Sequence, residues 1–219
     1  MKLDLKLYAL VDPAVSGGRT LPELARLIAE NATLVQLRDK HAETGAFVEE
    51  ARALRQVLAP LSVPLLINDR VDVALAAQAD GVHIGQDDMA PQDARRLMGD
   101  GALIGLSIQS VEQAEAAPLD LIDYVGVGGV YATTSKENTA PPIGTAGLAR
   151  IAQVIRARKA GFPICGIAGI TAGNAAAVIA AGADGVAVIS ALSLAPDPAK
   201  AARELRSVVD QALTRQASP

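Results

Sequence analysis

The chain has 219 residues, half of them apolar and only 2% aromatic, with 24 acidic against 20 basic side chains and a formal net charge of −4. That length suits one domain, and the shortage of rings leaves Ala, Val, Leu and Ile to fill its core. The acidic balance argues against nucleic acid or an anionic membrane surface as partner. A single cysteine, Cys165, excludes an internal disulfide and a Cys-rich zinc cluster, and in its apolar run it reads as buried filler.

Residues 1–12 alternate charge and hydrophobe without a leader-like apolar core, and no run of about 18 apolar residues follows. A cytoplasmic location is therefore expected. Strand-length apolar runs then recur at 7–11, 34–37, 64–67, 81–84, 103–108, 124–130, 163–167 and 185–189. Between them lie helical spacings such as Leu21, Leu24, Ala25, Leu27 and Ile28, or Phe47, Ala51, Leu54 and Leu58. Eight alternations in so short a chain predict an α/β fold, a single (β/α)8 barrel over 1–219, with 211–219 as a frayed polar tail. The structural rival, a doubly wound open sheet, lacks a Gly-rich fingerprint after the first strand.

Ala79-Asp80-Gly81-Val82 and Ala183-Asp184-Gly185-Val186 each close an Ala-rich helix and open a strand, so Asp80 and Asp184 read as structural turn residues. The irregular stretch 132–145, with hydroxyls and a lysine directly after a strand, reads as functional.

The chemistry gathers at strand ends, where a barrel pools groups from distant positions. Arg38 and Lys40, one residue apart, can face one anion, or stand as a solvated pair. Asp69 and Asp88, on adjacent staves, would repel unless a cation such as Mg²⁺ lay between them; general acid–base work or an Asp69–Arg70 ion pair are the alternatives. His83 sits inside an apolar strand and reads as a satisfied core histidine rather than a catalyst, and His41 falls in a loop with no zinc-binding spacing. Gly166-Ile167-Ala168-Gly169 and Ile189-Ser190 end the seventh and eighth strands, the usual phosphate end of such a barrel when paired with the hydroxyls of Thr133 and Ser135; packing alone is the alternative reason for Gly-rich strand ends.

In order along nearly the whole chain, VQLRDK, INDRVDVALAAQADGVHIGQDD, GLSI, DYVGVGGVYATTSK, GIAGI and VAVISAL resemble the thiamine phosphate synthase family. That resemblance implies a transferase joining 4-amino-2-methyl-5-hydroxymethylpyrimidine diphosphate to 4-methyl-5-hydroxyethylthiazole phosphate, or its carboxylated form, with release of diphosphate. It implies small-molecule substrates, and Mg²⁺ held by Asp69 and Asp88. Gln36, Leu37, Arg38, Asp39, Lys40, Asn68, Ser107 and Lys136 would hold the pyrimidine diphosphate, with Arg38, Lys40, Ser107 and Lys136 acting in catalysis. Thr133, Thr134, Ser135, Gly169, Ile189 and Ser190 would cradle the thiazole phosphate. The chain departs from the family pattern at Gln109, Gly129, Tyr131 and Ala168, the last standing where glycine is usual and beside the expected phosphate. A thiazole tautomerase of the same fold, which needs neither paired metal aspartates nor Lys136, and a non-catalytic binder of thiamine intermediates are the rival readings. The oligomeric state is left open, a homo-oligomer among the options.

Overall fold

A computed structural model describes residues 3–135 and 141–217, the side chain of Ala217 apart. Eight parallel strands close in sequence order, β8 returning to pair with β1. They are β1 Leu7–Val11, β2 Leu34–Leu37, β3 Leu65–Asn68, β4 Gly81–Ile84, β5 Leu103–Ile108, β6 Tyr124–Val127, β7 Ile164–Ile167 and β8 Gly185–Val188. The helices between and after them are α1 Leu21–Ile28, α2 Thr44–Leu58, α3 Val71–Ala77, α4 Pro91–Met98, α5 Val111–Ala116, α6 Gly144–Arg158, α7 Ala175–Ala180, the short α8 Ser190–Ser193 and α9 Pro198–Ala217.

Alternation along each strand divides the apolar residues into two sets. One set, including Leu7, Val35, Ile67 and Val186, packs outward against the helices; the other, including Leu10, Leu34, Leu66, Leu103, Cys165 and Ala187, fills the barrel. Cys165 is buried there, as expected of filler. The expected helix faces are buried on α1 and α2, except that Leu27 points outward and is exposed.

A repeated brace ties neighbouring staves at the N-terminal rim. The backbone N–H groups of Leu7, Leu65, Ile104 and Ile164 donate to side-chain oxygens of Thr33, Asp80, Asp123 and Asp184, at 3.1, 2.8, 2.7 and 2.8 Å. Each acceptor directly precedes an even-numbered strand, so Asp80 and Asp184 have the structural role expected of them.

Several boundaries differ from the sequence reading: β3 runs one residue later, at Leu65–Asn68, and β7 starts one residue later, at Ile164. The sixth strand ends at Val127, because Gly128 and Gly129 turn the chain away before Val130 bonds to the Ile167 carbonyl. The eighth ends at Val188, Ile189 already capping α8. The segment 211–217, expected as tail, is the last part of α9: Ala212 is buried, and Gln216 Nε2 donates to the Ile179 carbonyl of α7 at 2.6 Å. No helix among the described residues is long and apolar enough to cross a membrane.

Candidate active site

The C-terminal ends of the strands open into a cavity of about 840 Å³. β1 delivers Asp12, β2 leads into Arg38 and Lys40, β3 ends at Asn68 and Asp69, β4 is followed by Asp88, and β5 contributes Ser107; all line this one space, with Thr134 and Ser135 at its edge. Period-two alternation explains the selection: Gln36 and Arg38 lie on the inward register of β2, while Leu37 is fully buried in the outer core and offers a ligand only its backbone.

Among the described residues, the two cations at the cavity, Arg38 and Lys40, are already paired. Arg38 Nη1 donates to Asp12 Oδ2, and Lys40 Nζ to Asp69 Oδ2. Asp12 is 2% exposed, so without the Arg38 guanidinium it would be a buried, uncompensated anion. Asp69 also accepts from Asn68 Nδ2 at 2.6 Å. Its backbone is left-handed, with φ 62°, and its amide donates to the His83 carbonyl at 2.8 Å. An aspartate tolerates that conformation better than most side chains, and it turns the carboxylate toward the cavity end of β4.

Asp88 Oδ2 accepts from the Gly85 amide at 2.7 Å. Desolvation, and then the neighbouring Asp69 carboxylate, hold the Asp88 carboxyl above the usual carboxylate range, only partly offset by the Gly85 amide. Two carboxylates that resist joint ionisation form an oxygen-only donor pair suited to a hard divalent cation. Among the described residues no group of three or more His, Cys, Asp or Glu is arranged to hold a metal. A cation here would thus keep water or ligand oxygens in its remaining positions, as Mg²⁺ does.

His83 is partnered at both ring nitrogens, Nδ1 lying 2.8 Å from the Tyr124 hydroxyl and Nε2 2.9 Å from Ser107 Oγ. Room for these rings comes from Gly105: a Cβ there would lie 2.1 Å from Tyr124 Cζ and 2.5 Å from His83 Nδ1. Both ring nitrogens are satisfied, as expected of a core histidine, yet His83 itself lines the large cavity, as does its partner Ser107.

A second, smaller cavity adjoins the first at Ser135, and is lined by Thr133, Gly169, Ile189 and Ser190 together with Ala168. The segment after β7 is held by Asn174, whose Nδ2 donates to the Gly169 carbonyl at 2.9 Å.

The sequence profile of the thiamine monophosphate synthase family matches residues 7–192. The chain belongs to this family. It is 47% identical to the thiamine-phosphate synthase of Agrobacterium fabrum over 213 residues, 97% of each chain. Among solved structures, the thiamine phosphate pyrophosphorylase of Pyrococcus furiosus superposes with a TM-score of 0.84 at 37% identity, covering 95% of this chain and 97% of that one. Orotidine 5′-phosphate decarboxylase of Pyrococcus horikoshii, at 17% identity and a TM-score of 0.68, shares the fold.

Of the residues that family resemblance singles out, Arg38, Lys40, Asn68, Asp69, Asp88, Ser107, Thr134 and Ser135 line the large cavity, and Thr133, Ser135, Gly169, Ile189 and Ser190 the small one. Gln36 is buried in the barrel beneath. Asp39 does not line either; it folds the loop, accepting from the His41 and Ala42 amides at 2.8 and 3.0 Å. Lys136 lies outside the described residues. Sequence reasoning missed Asp12, whose signal was available, an acid directly after a strand like Asp69. Gln109, singled out only as a departure from the family pattern, directly follows β5 and lines the large cavity as well; Gln86 and Gln113, which also line it, were missed.

Proposed function

We propose that this chain is a thiamine phosphate synthase: it joins the methylene carbon of the aminopyrimidine diphosphate to the ring nitrogen of the thiazole phosphate and releases diphosphate. The reading is supported above all by one observation. Cations, a carboxylate pair and a neutral hydroxyl from separate staves share a cavity, and that cavity adjoins a second one in which Thr133, Ser135 and Ser190 stand among mostly apolar neighbours.

In this reading Arg38, Lys40 and Ser107 bind the diphosphate, with Lys136 joining them by family resemblance, and Asp69 and Asp88 hold Mg²⁺. The bound ion supplies charge neutralisation to the diphosphate oxygens. The C–O bond breaks with its electron pair leaving on diphosphate, and the thiazole nitrogen lone pair then forms the C–N bond, so no protein nucleophile is required. The protein's task is to meet charge as it grows on the leaving oxygen and to hold the nitrogen in line. Charge-assisted hydrogen bonds are worth roughly 1.5–3 kcal/mol each. Those from Arg38 and Lys40 must be transferred from Asp12 and Asp69, which lowers their net worth. Thr133, Ser135, Gly169 and Ser190 would take the thiazole phosphate.

The test is diphosphate release and thiamine phosphate formation by the purified chain. Product is expected only with both substrates and Mg²⁺, is lost on chelation and returns when Mg²⁺ is restored. Failure to release diphosphate from the complete mixture would overturn the assignment.

A further inference from the structure

A chain of polar groups crosses the apolar interior below the cavity. Gln36 Nε2 donates to the Tyr8 hydroxyl, the Tyr8 and Tyr124 hydroxyls lie 2.9 Å apart, Tyr124 is 2.8 Å from His83 Nδ1, and His83 Nε2 is 2.9 Å from Ser107 Oγ. Gln36, Tyr8 and Tyr124 are buried beneath the cavity, while His83, itself largely buried, and Ser107 reach it. Burial keeps both tyrosines protonated at any ordinary pH.

Such a chain has a direction. Each hydroxyl carries one proton and a neutral imidazole carries one, so whichever group donates at one end decides every later link. The Gln36 amide nitrogen can only donate, so Tyr8 accepts from it; the one other polar atom recorded against the Tyr8 oxygen is the Tyr124 hydroxyl, so a Tyr8 proton that finds an acceptor goes to Tyr124. Tyr124 in turn donates to His83 Nδ1. The imidazole proton is then on Nε2 and is given to Ser107 Oγ, which keeps its own hydroxyl proton for the cavity. In the reverse direction the Ser107 proton would be spent on His83 Nε2, leaving only lone pairs facing an anion.

We propose that Tyr8 and Tyr124 are positioning residues that hold His83 as its Nε2–H tautomer, so that the Ser107 hydroxyl donates to a diphosphate oxygen in the cavity. This rests on the diphosphate reading above. Nothing in it requires the tyrosines to touch substrate. Because charge on the leaving oxygen grows as the C–O bond breaks, a donor aimed there strengthens in the transition state and acts on kcat more than on KM.

Tyr124→Phe keeps the ring and deletes the link. Its kcat is expected to fall about 10-fold or more, with KM for the pyrimidine diphosphate within roughly threefold of wild type. Ser107→Ala should lose a similar factor, and the double variant no more than Ser107→Ala alone, since Tyr124 acts through Ser107. Full kcat in Tyr124→Phe, or losses that multiply in the double variant, would overturn the proposal. Tyr8→Phe breaks the chain one link earlier, should show the same split, and replaces Tyr124→Phe if that variant does not fold. Independently, ¹⁵N spectra of histidine-labelled protein have only two residues to resolve, His41 and His83. His83 is expected with a protonated Nε2 and a bare Nδ1 in the wild type, shifting toward Nδ1–H in Tyr124→Phe; a wild-type Nδ1–H overturns the inference. If wild type releases no diphosphate, the functional reading fails on its own, and the spectra still decide the tautomer.

Discussion

Ala168 carries a strain that its family position foretells. Its φ is +83°, it is buried beside the small cavity, and its carbonyl accepts from the Tyr131 amide at 3.1 Å, so the conformation is held from outside. A left-handed L-residue costs roughly 1–2 kcal/mol, while glycine loosens the unfolded chain by about 0.4–1 kcal/mol. Ala168→Gly should therefore stabilise the protein by between about 0 and 1.6 kcal/mol and lower KM for the thiazole phosphate; chemical denaturation and steady-state kinetics check both. Asp88 carries a strain of charge. Its carboxyl binds a proton more tightly folded than unfolded, so without metal its contribution to stability falls as pH rises from the ordinary carboxylate range through its raised folded value. Asp88→Asn should flatten that decline in denaturation curves run with chelator, while Mg²⁺-dependent turnover falls about 100-fold or more. Arg38, Lys40, Asp69 and Asp88 could be placed at strand ends from the sequence, because each follows an apolar run, but their partners could not: Asp69 pairs with Lys40, while Arg70 pairs with Asp72. Tyr8 and Tyr124 were not legible at all: along the chain each reads only as strand filler, and their hydroxyls meet across 116 positions, after the barrel closes.

At the scale of elements, the barrel is assembled from pairs of staves, each odd strand tied at its start to the residue preceding the next even strand. Asp123 and Asp184 are themselves fixed by Arg95 and Arg156, at 2.7 and 2.8 Å, so those two braces reach into the helix layer. Asp80→Ala would leave the Leu65 amide without its side-chain acceptor, and a buried donor left unpaired costs about 1–3 kcal/mol. That loss should appear in the denaturation midpoint with kcat unchanged, since Asp80 sits at the opposite end of the strands from the cavity; a fall in kcat alone would contradict the assignment. Only two of the four braces were visible beforehand. Asp80 and Asp184 share the Ala-Asp-Gly-Val signature, whereas Thr33 and Asp123 reach the same geometry without it. The polar composition of 211–217 concealed a helix for a related reason: α9 needs only one stripe, with Leu205, Val209 and Ala212 buried, to dock on α1 and α7.

For the whole molecule, closure was legible from the eightfold alternation, and family membership from motifs kept in order, but neither reveals how the site's charges are balanced before substrate arrives. The net charge of −4 gives no general attraction for a diphosphate, and among the described residues Arg38 and Lys40, the two cations at the cavity, are occupied by carboxylates. Under the proposed function this coupling has a consequence. Lys40 is half exposed and holds Asp69, so diphosphate alone must break that ion pair, and Mg²⁺ alone must displace the lysine from a carboxylate it needs. With both bound, Asp69 would be free to hold the cation and Lys40 to meet the phosphates, so each ligand would remove the other's obstacle. Inorganic diphosphate and Mg²⁺ should therefore raise the melting temperature together by more than the sum of their separate shifts, after allowance for the complex they form in solution. At ligand concentrations about 100 times the dissociation constant, stabilisation approaches 2.7 kcal/mol. Lys40→Met should bind Mg²⁺ alone more tightly than wild type while losing most of the cooperativity, as read by calorimetric titration of each ligand in the presence and absence of the other. Strictly additive shifts in the wild type, or a Lys40→Met protein that binds Mg²⁺ more weakly, would show that the Lys40–Asp69 pair does not gate the site.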